Sequence, residues 1–212
     1  MTMIADNLQR VRARMEQACR ACGRDPASVT LLAVSKTFGA DAVRQAHAAG
    51  QTAFGENYIQ EAVDKMVAVA DLPLTWHCIG PIQGNKTRLV AGHFDWAHTV
   101  DRLKIAERLS VQRPAQRAPL QVCLQVNIDG GPNKSGVAPG QALALAREVA
   151  QLPGLTLRGL MTIPEPAPDF ATALAVHRQA RALFDDLCDA GLALDEAALG
   201  PPLAVEEHVR EA

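Results

Sequence analysis

Apolar and polar positions follow two rhythms along the chain. From Ile4 onward, Leu8, Val11, Met15 and Ala18 recur at helical spacing, and Gly23 stands where such a helix would end. The pattern then changes to short apolar runs at fairly even intervals, over residues 29–34, 52–54, 75–79, 94–100, 120–128 and 155–163, which read as strands. Between them, residues 41–49, 56–70, 102–111, 139–152 and 169–190 read as helices. Strands alternating with helices predict βαβ units on a parallel sheet in one α/β domain. Six strands fit an open doubly wound sheet or a β/α barrel with strands missing. A dinucleotide-binding sheet would place a glycine-rich turn after its first strand, whereas Val34 is followed by Ser35-Lys36-Thr37-Phe38-Gly39, so the barrel is favoured.

Composition narrows the function classes. A chain of 212 residues that is 48% hydrophobic is long enough to bury one large core. Its 21 basic and 23 acidic residues give a formal charge of -2, which leaves no electrostatic surplus for a nucleic-acid backbone or an anionic membrane surface. The first twenty residues carry charges every few positions and offer no uninterrupted apolar run, so a cytoplasmic protein is expected. Five cysteines, an odd number without a dense framework, predict free thiols. Cys19 and Cys22 form a C-x-x-C late in a helical pattern, without the strand-to-helix setting of a redox pair or a second pair for zinc, and read as structural.

Lys36 is the most suggestive position for chemistry. It follows the apolar run Leu31-Leu32-Ala33-Val34 and so falls at the carboxyl end of the first strand, where barrel enzymes keep their active sites. A desolvated lysine has a lowered pKa, and its neutral amine can attack an aldehyde to form a Schiff base. Position alone leaves that reading open beside a solvated lysine capping a strand end. His93 and His98 flank a strand-like run on opposite faces, which argues against shared metal ligation. Gly130-Gly131 with Lys134 lacks P-loop spacing and reads as a turn, with an anion contact as the alternative.

Six short motifs, in order, resemble one family. They are Ala33-Val34-Ser35-Lys36; Phe54-Gly55-Glu56-Asn57-Tyr58-Ile59-Gln60-Glu61; Trp76-His77-Cys78-Ile79-Gly80-Pro81-Ile82-Gln83-Gly84-Asn85-Lys86; Val100-Asp101-Arg102; Gln125-Val126-Asn127-Ile128 leading to Lys134-Ser135-Gly136; and Gly159-Leu160-Met161-Thr162-Ile163-Pro164. The chain resembles the pyridoxal phosphate homeostasis protein family from its first helix to about Leu194. The resemblance implies a TIM-type β/α barrel like the N-terminal domain of alanine racemase, with pyridoxal 5'-phosphate (PLP) held on Lys36 as a Schiff base. It places Asn57 in the cofactor pocket, with His77, Asn127 and Met161 at other strand ends, His77 being equally readable as a structural histidine. It further implies intracellular PLP homeostasis without turnover, with PLP-dependent apoenzymes as candidate partners. The alternatives are a racemase-like enzyme, a cofactor-free Schiff-base aldolase and a truncated, non-binding scaffold. A racemase needs a second acid/base group on the other cofactor face, and the single tyrosine, Tyr58, lies within the barrel motif.

The resemblance stops near Leu194, which divides the chain into a barrel over residues 1–194 and a divergent tail over 195–212. The family continues with a Ser-Met-Gly-Met-Ser strand, a helix and an Arg-Ile-Gly-Thr strand that close the barrel and bind the cofactor phosphate. Here the sequence reads Asp195-Glu196-Ala197-Ala198-Leu199-Gly200-Pro201-Pro202, without either motif. The expectation is a barrel lacking its last two strands and the usual phosphate cup, with 206–210 forming a short helix.

Overall fold

The computed structural model describes residues 3–131 and 135–199, and the backbone alone for 196–199. Helix α1 (Met3–Ala21) is closed by Gly23 at φ 70°, a left-handed turn in which Arg24 N–H reaches back to the Cys19 carbonyl at 2.9 Å. Then β1 (Ala33–Val34), β2 (Ala53–Glu56), β3 (Thr75–Cys78), β4 (Trp96–Val100), β5 (Leu120–Gln125), β6 (Leu155–Thr162) and β7 (Glu196–Leu199) alternate with helices. These are α2 (Ala40–Ala48), α3 (Ile59–Ala68), α4 (Thr87–His93), α5 (Leu103–Gln112), α6 (Pro139–Val149) and α7 (Phe170–Asp189).

All seven strands run parallel, and their spatial order is their chain order. A doubly wound sheet reverses its order at a switch point; a β/α barrel does not. Large apolar residues on one face of the strands, including Phe54, Trp76, Val122, Leu124 and Leu160, join Val43, Met66, Leu109, Val149 and Phe184 from the helices in one buried cluster. Each such side chain contributes about 1.5–3 kcal/mol through burial, which fixes the helices on that face and leaves the other for the barrel interior.

The structure departs from the sequence expectation in three places. The strand expected over 29–34 pairs only at Ala33 and Val34, because a 3-10 turn, Pro26–Ser28, with Asp25 capping it, delivers the chain to the sheet edge late. Helix α4 is not among the expected helices, because at seven residues it is too short to show a clear apolar period. The expected loss of the last two strands is corrected: Glu196–Leu199 pairs in register with Gly159–Thr162, so one of the two positions is filled without the family's motif. Backbone pairing needs no particular side chain, which is why the missing motif hid it. Lys134 and the helix expected over 206–210 lie outside the described residues.

Candidate functional site

Because the strands are parallel, their carboxyl ends lie along one edge, and the residues following them converge there. Lys36 sits half-buried two residues beyond β1, in a turn closed by Phe38 N–H donating to the Ser35 carbonyl at 3.0 Å. Asn57 follows β2 directly, Asn127 lies two residues beyond β5, and Met161, 5% exposed, is the penultimate residue of β6. These four share the sheet's carboxyl edge.

Two close approaches build the rim. A Cβ added to Gly80, just beyond β3, would stand 2.7 Å from Asn57 Cα and nearer still to Asn57 O, so only glycine lets these backbones meet. Gly136 has φ 119°, and its missing Cβ would lie 2.7 Å from Asn127 N. It keeps the loop after β5 folded onto the strand end, where Asn127 N–H donates to the Val137 carbonyl at 2.9 Å. The Asn127 side-chain amide donates to the Gly131 carbonyl at 2.9 Å.

Several polar atoms at this edge are buried without a hydrogen-bond partner: Asn57 Oδ1, Asn127 Oδ1 and Thr162 Oγ1. Leaving a buried acceptor unsatisfied costs about 1–3 kcal/mol, so these are atoms to which a ligand or an ordered water can supply the missing partner. A cavity of about 390 Å³ opens beside the rim, lined by Asn57, Tyr58, Gln83 and Lys86 among others. Of the predicted site residues only Asn57 lines it. The single tyrosine, Tyr58, is 54% exposed there.

His77 lies one step deeper, within β3. Its Nδ1 is 2.8 Å from His98 Nε2 of β4, and its ring stacks on Trp96 with centroids 5.3 Å apart. Burial, and secondarily the neighbouring His98, push the His77 pKa down to about 3. Both rings are therefore neutral at pH 7, one donating and one accepting. Sequence reasoning weighed His98 against His93, yet His98 pairs with His77 and His93 ends α4. No group of three metal-ligating side chains occurs among the described residues, and no described helix is long and apolar enough to cross a membrane.

The family model for the N-terminal domain of alanine racemase matches residues 4–200, so fold and site together define a barrel of that type. A pyridoxal phosphate homeostasis protein of Pseudomonas aeruginosa is 58% identical over 211 residues, covering 100% of this chain and 90% of that one. The Escherichia coli protein of that name is 49% identical over 203 residues, 94% of this chain and 87% of its own. The solved structure of PipY from Synechococcus elongatus with PLP bound aligns at a TM-score of 0.74 and 38% identity, over 91% of this chain and 85% of that one. The chain belongs to the pyridoxal phosphate homeostasis protein family.

Proposed function

We propose that this protein binds PLP on Lys36 and keeps it in reserve, taking part in PLP homeostasis without turning over a substrate. The observation that carries the reading is the half-buried Lys36 at the mouth together with the unpartnered acceptors Asn57 Oδ1 and Asn127 Oδ1 at neighbouring strand ends. The residues fit the cofactor. PLP would supply an aldehyde there, and the Lys36 amine is the group that would hold it. Asn57 and Asn127 would offer it acceptor oxygens and Thr162 a hydroxyl. Met161 adds apolar contact. His77, held neutral and occupied by His98, would bring no charge to the cofactor.

Turnover would require a second acid/base group facing the lysine across the cofactor. Tyr58, the single tyrosine, points to solvent beside the rim cavity and is poorly placed for that task. Handing PLP to PLP-dependent apoenzymes in the cytoplasm is the partnership this reading implies.

The test is a PLP titration followed by visible absorbance, then borohydride reduction and peptide mapping. Label is expected on Lys36, with Lys36→Ala losing it; label on another lysine with Lys36 unmodified overturns the assignment. Rapid Lys36-dependent α-proton exchange of free amino acids in deuterated water would place the protein among enzymes instead.

A further inference from the structure

Glu56 closes β2 and is completely buried, yet it carries a carboxylate. Its Oε1 receives two hydrogen bonds, from Ser35 Oγ at 2.6 Å and from Lys65 Nζ at 2.5 Å. Lys65 reaches across from α3, with its side chain 8% exposed, and also donates to the main-chain carbonyl of Ser35 at 2.6 Å. Two side chains, Glu56 from β2 and Lys65 from α3, thus close on one residue, the one preceding Lys36.

A buried ion pair is an expensive way to hold α3 against the sheet, since apolar side chains of similar volume often serve as well or better. What an apolar pair lacks is direction. The Ser35 carbonyl belongs to the same rigid peptide plane as the Lys36 nitrogen, so anchoring that oxygen fixes the orientation from which the Lys36 side chain leaves the backbone. The anchor matters here because β1 is short. Only Ala33 and Val34 pair with β2, followed by one further bond from Ser35 N–H to the Gly55 carbonyl at 2.9 Å. The same Ser35 carbonyl also accepts from Phe38 N–H and so opens the turn that carries Lys36. Without Lys65 and Glu56, the turn would hang from a two-residue strand.

We infer that Glu56 and Lys65 are positioning residues: their ion pair locks the Ser35–Lys36 peptide plane and aims the Lys36 amine into the barrel mouth. Glu56 is completely buried and the Lys65 side chain is 8% exposed, so both act from behind Ser35. The inference rests on the proposed role of Lys36.

The experiment compares the parent with Glu56→Gln/Lys65→Met, which removes both charges together and avoids stranding one in the core. PLP capture is quenched with borohydride at timed intervals and counted at Lys36 by peptide mapping. Binding of pyridoxine 5'-phosphate, which has the ring and phosphate without the aldehyde, is measured separately. Capture is expected to slow by about tenfold or more, the scale of loss when a reacting group is mis-aimed. Pyridoxine 5'-phosphate affinity is expected to stay within about twofold. Parent-rate capture in the folded double variant overturns the inference, and so does a proportional loss of pyridoxine 5'-phosphate binding, which would make the pair part of the pocket. If the double variant does not fold, Glu56→Asp decides. It keeps the charge while drawing the carboxylate back from Lys65 by one methylene, so capture should slow by about threefold, and an unchanged rate overturns the proposal. Failure of the Lys36 reading itself looks different, because the parent would then show no label on Lys36 at all.

Discussion

His77 and His98 face each other across β3 and β4 with Nδ1 and Nε2 2.8 Å apart, a buried pair that shares one N–H. Burial lowers His77 to about 3 and His98 to about 4, whereas an unfolded histidine titrates near 6.5. The folded state keeps both rings neutral while the unfolded chain takes up protons, so stability is full above pH about 6.5 and falls as the pH drops from there toward about 4. Each pH unit in that window costs up to about 1.4 kcal/mol per histidine that only the unfolded chain protonates. Melting temperature against pH should therefore slope steeply between about 6.5 and 4, and more gently in His77→Phe/His98→Phe. Equal slopes in the two proteins would show that other groups carry the acid sensitivity.

Gly80→Ala should lower stability by about 1–3 kcal/mol, because the new Cβ meets the Asn57 backbone rather than a side chain able to swing away. The displaced backbone carries Asn57, so ligand binding should weaken with it. Chemical denaturation and PLP titration of this variant check both, and a stability equal to the parent's would mean that the β2 and β3 ends are free to part.

Much of the fold is legible in the sequence because strands and helices announce themselves locally. The runs near Trp76, Trp96, Leu120 and Leu155 and the helical stretches ending near Gln112, Val149 and Asp189 depend on apolar periodicity alone. Lys36 is legible as a candidate because its position after an apolar run is local as well. The bonds from Lys65 to Glu56 and Ser35 are not, since they require knowing that α3 folds back over the ends of two strands. Read alone, Glu56 belongs to a turn motif and Lys65 to a polar helix face. The His77–His98 pair is hidden for the same reason: it depends on strand register, with His77 aligned to Trp96. Strand β7 escaped because its pairing is made by backbone groups, which carry no signature of their own.

Asn57→Ala and Asn127→Ala should separate stability from binding. In the ligand-free protein each replacement removes an acceptor that has no partner, Asn57 Oδ1 or Asn127 Oδ1. The cost to folding should therefore be small, within about 1 kcal/mol, with Asn127 also losing its bond to Gly131. If these oxygens hold PLP, affinity should fall by about 1–3 kcal/mol, roughly five- to 150-fold. Thermal melts and PLP titrations distinguish the outcomes, and a large stability loss with unchanged affinity would assign both asparagines to the scaffold.

Arg158 and Asp195 form a clamp at the start of β7. Arg158 Nε and Nη2 each lie 2.6 Å from an Asp195 carboxylate oxygen, and Asp195 N–H donates to the Arg158 carbonyl at 3.0 Å. The hydrogen bond to Arg158 holds the Asp195 carboxyl below the usual range. Arg158 is held in turn, lying over the Trp96 ring at 5.0 Å and donating to Gln121 at 2.7 Å. A planar guanidinium so fixed loses little freedom in gripping a carboxylate with two parallel bonds. Asp195 is exposed, so solvent screening keeps the pair's contribution to global stability within about 1 kcal/mol. Its local effect should be larger in proportion, because Asp195 immediately precedes the four residues that pair with Gly159–Thr162. Asp195→Ala should thus leave the melting temperature nearly unchanged while amide hydrogen exchange quickens over residues 196–199. Unchanged exchange there would show that backbone pairing alone holds β7, and that the arginine clamp serves the interior beside Trp96 instead.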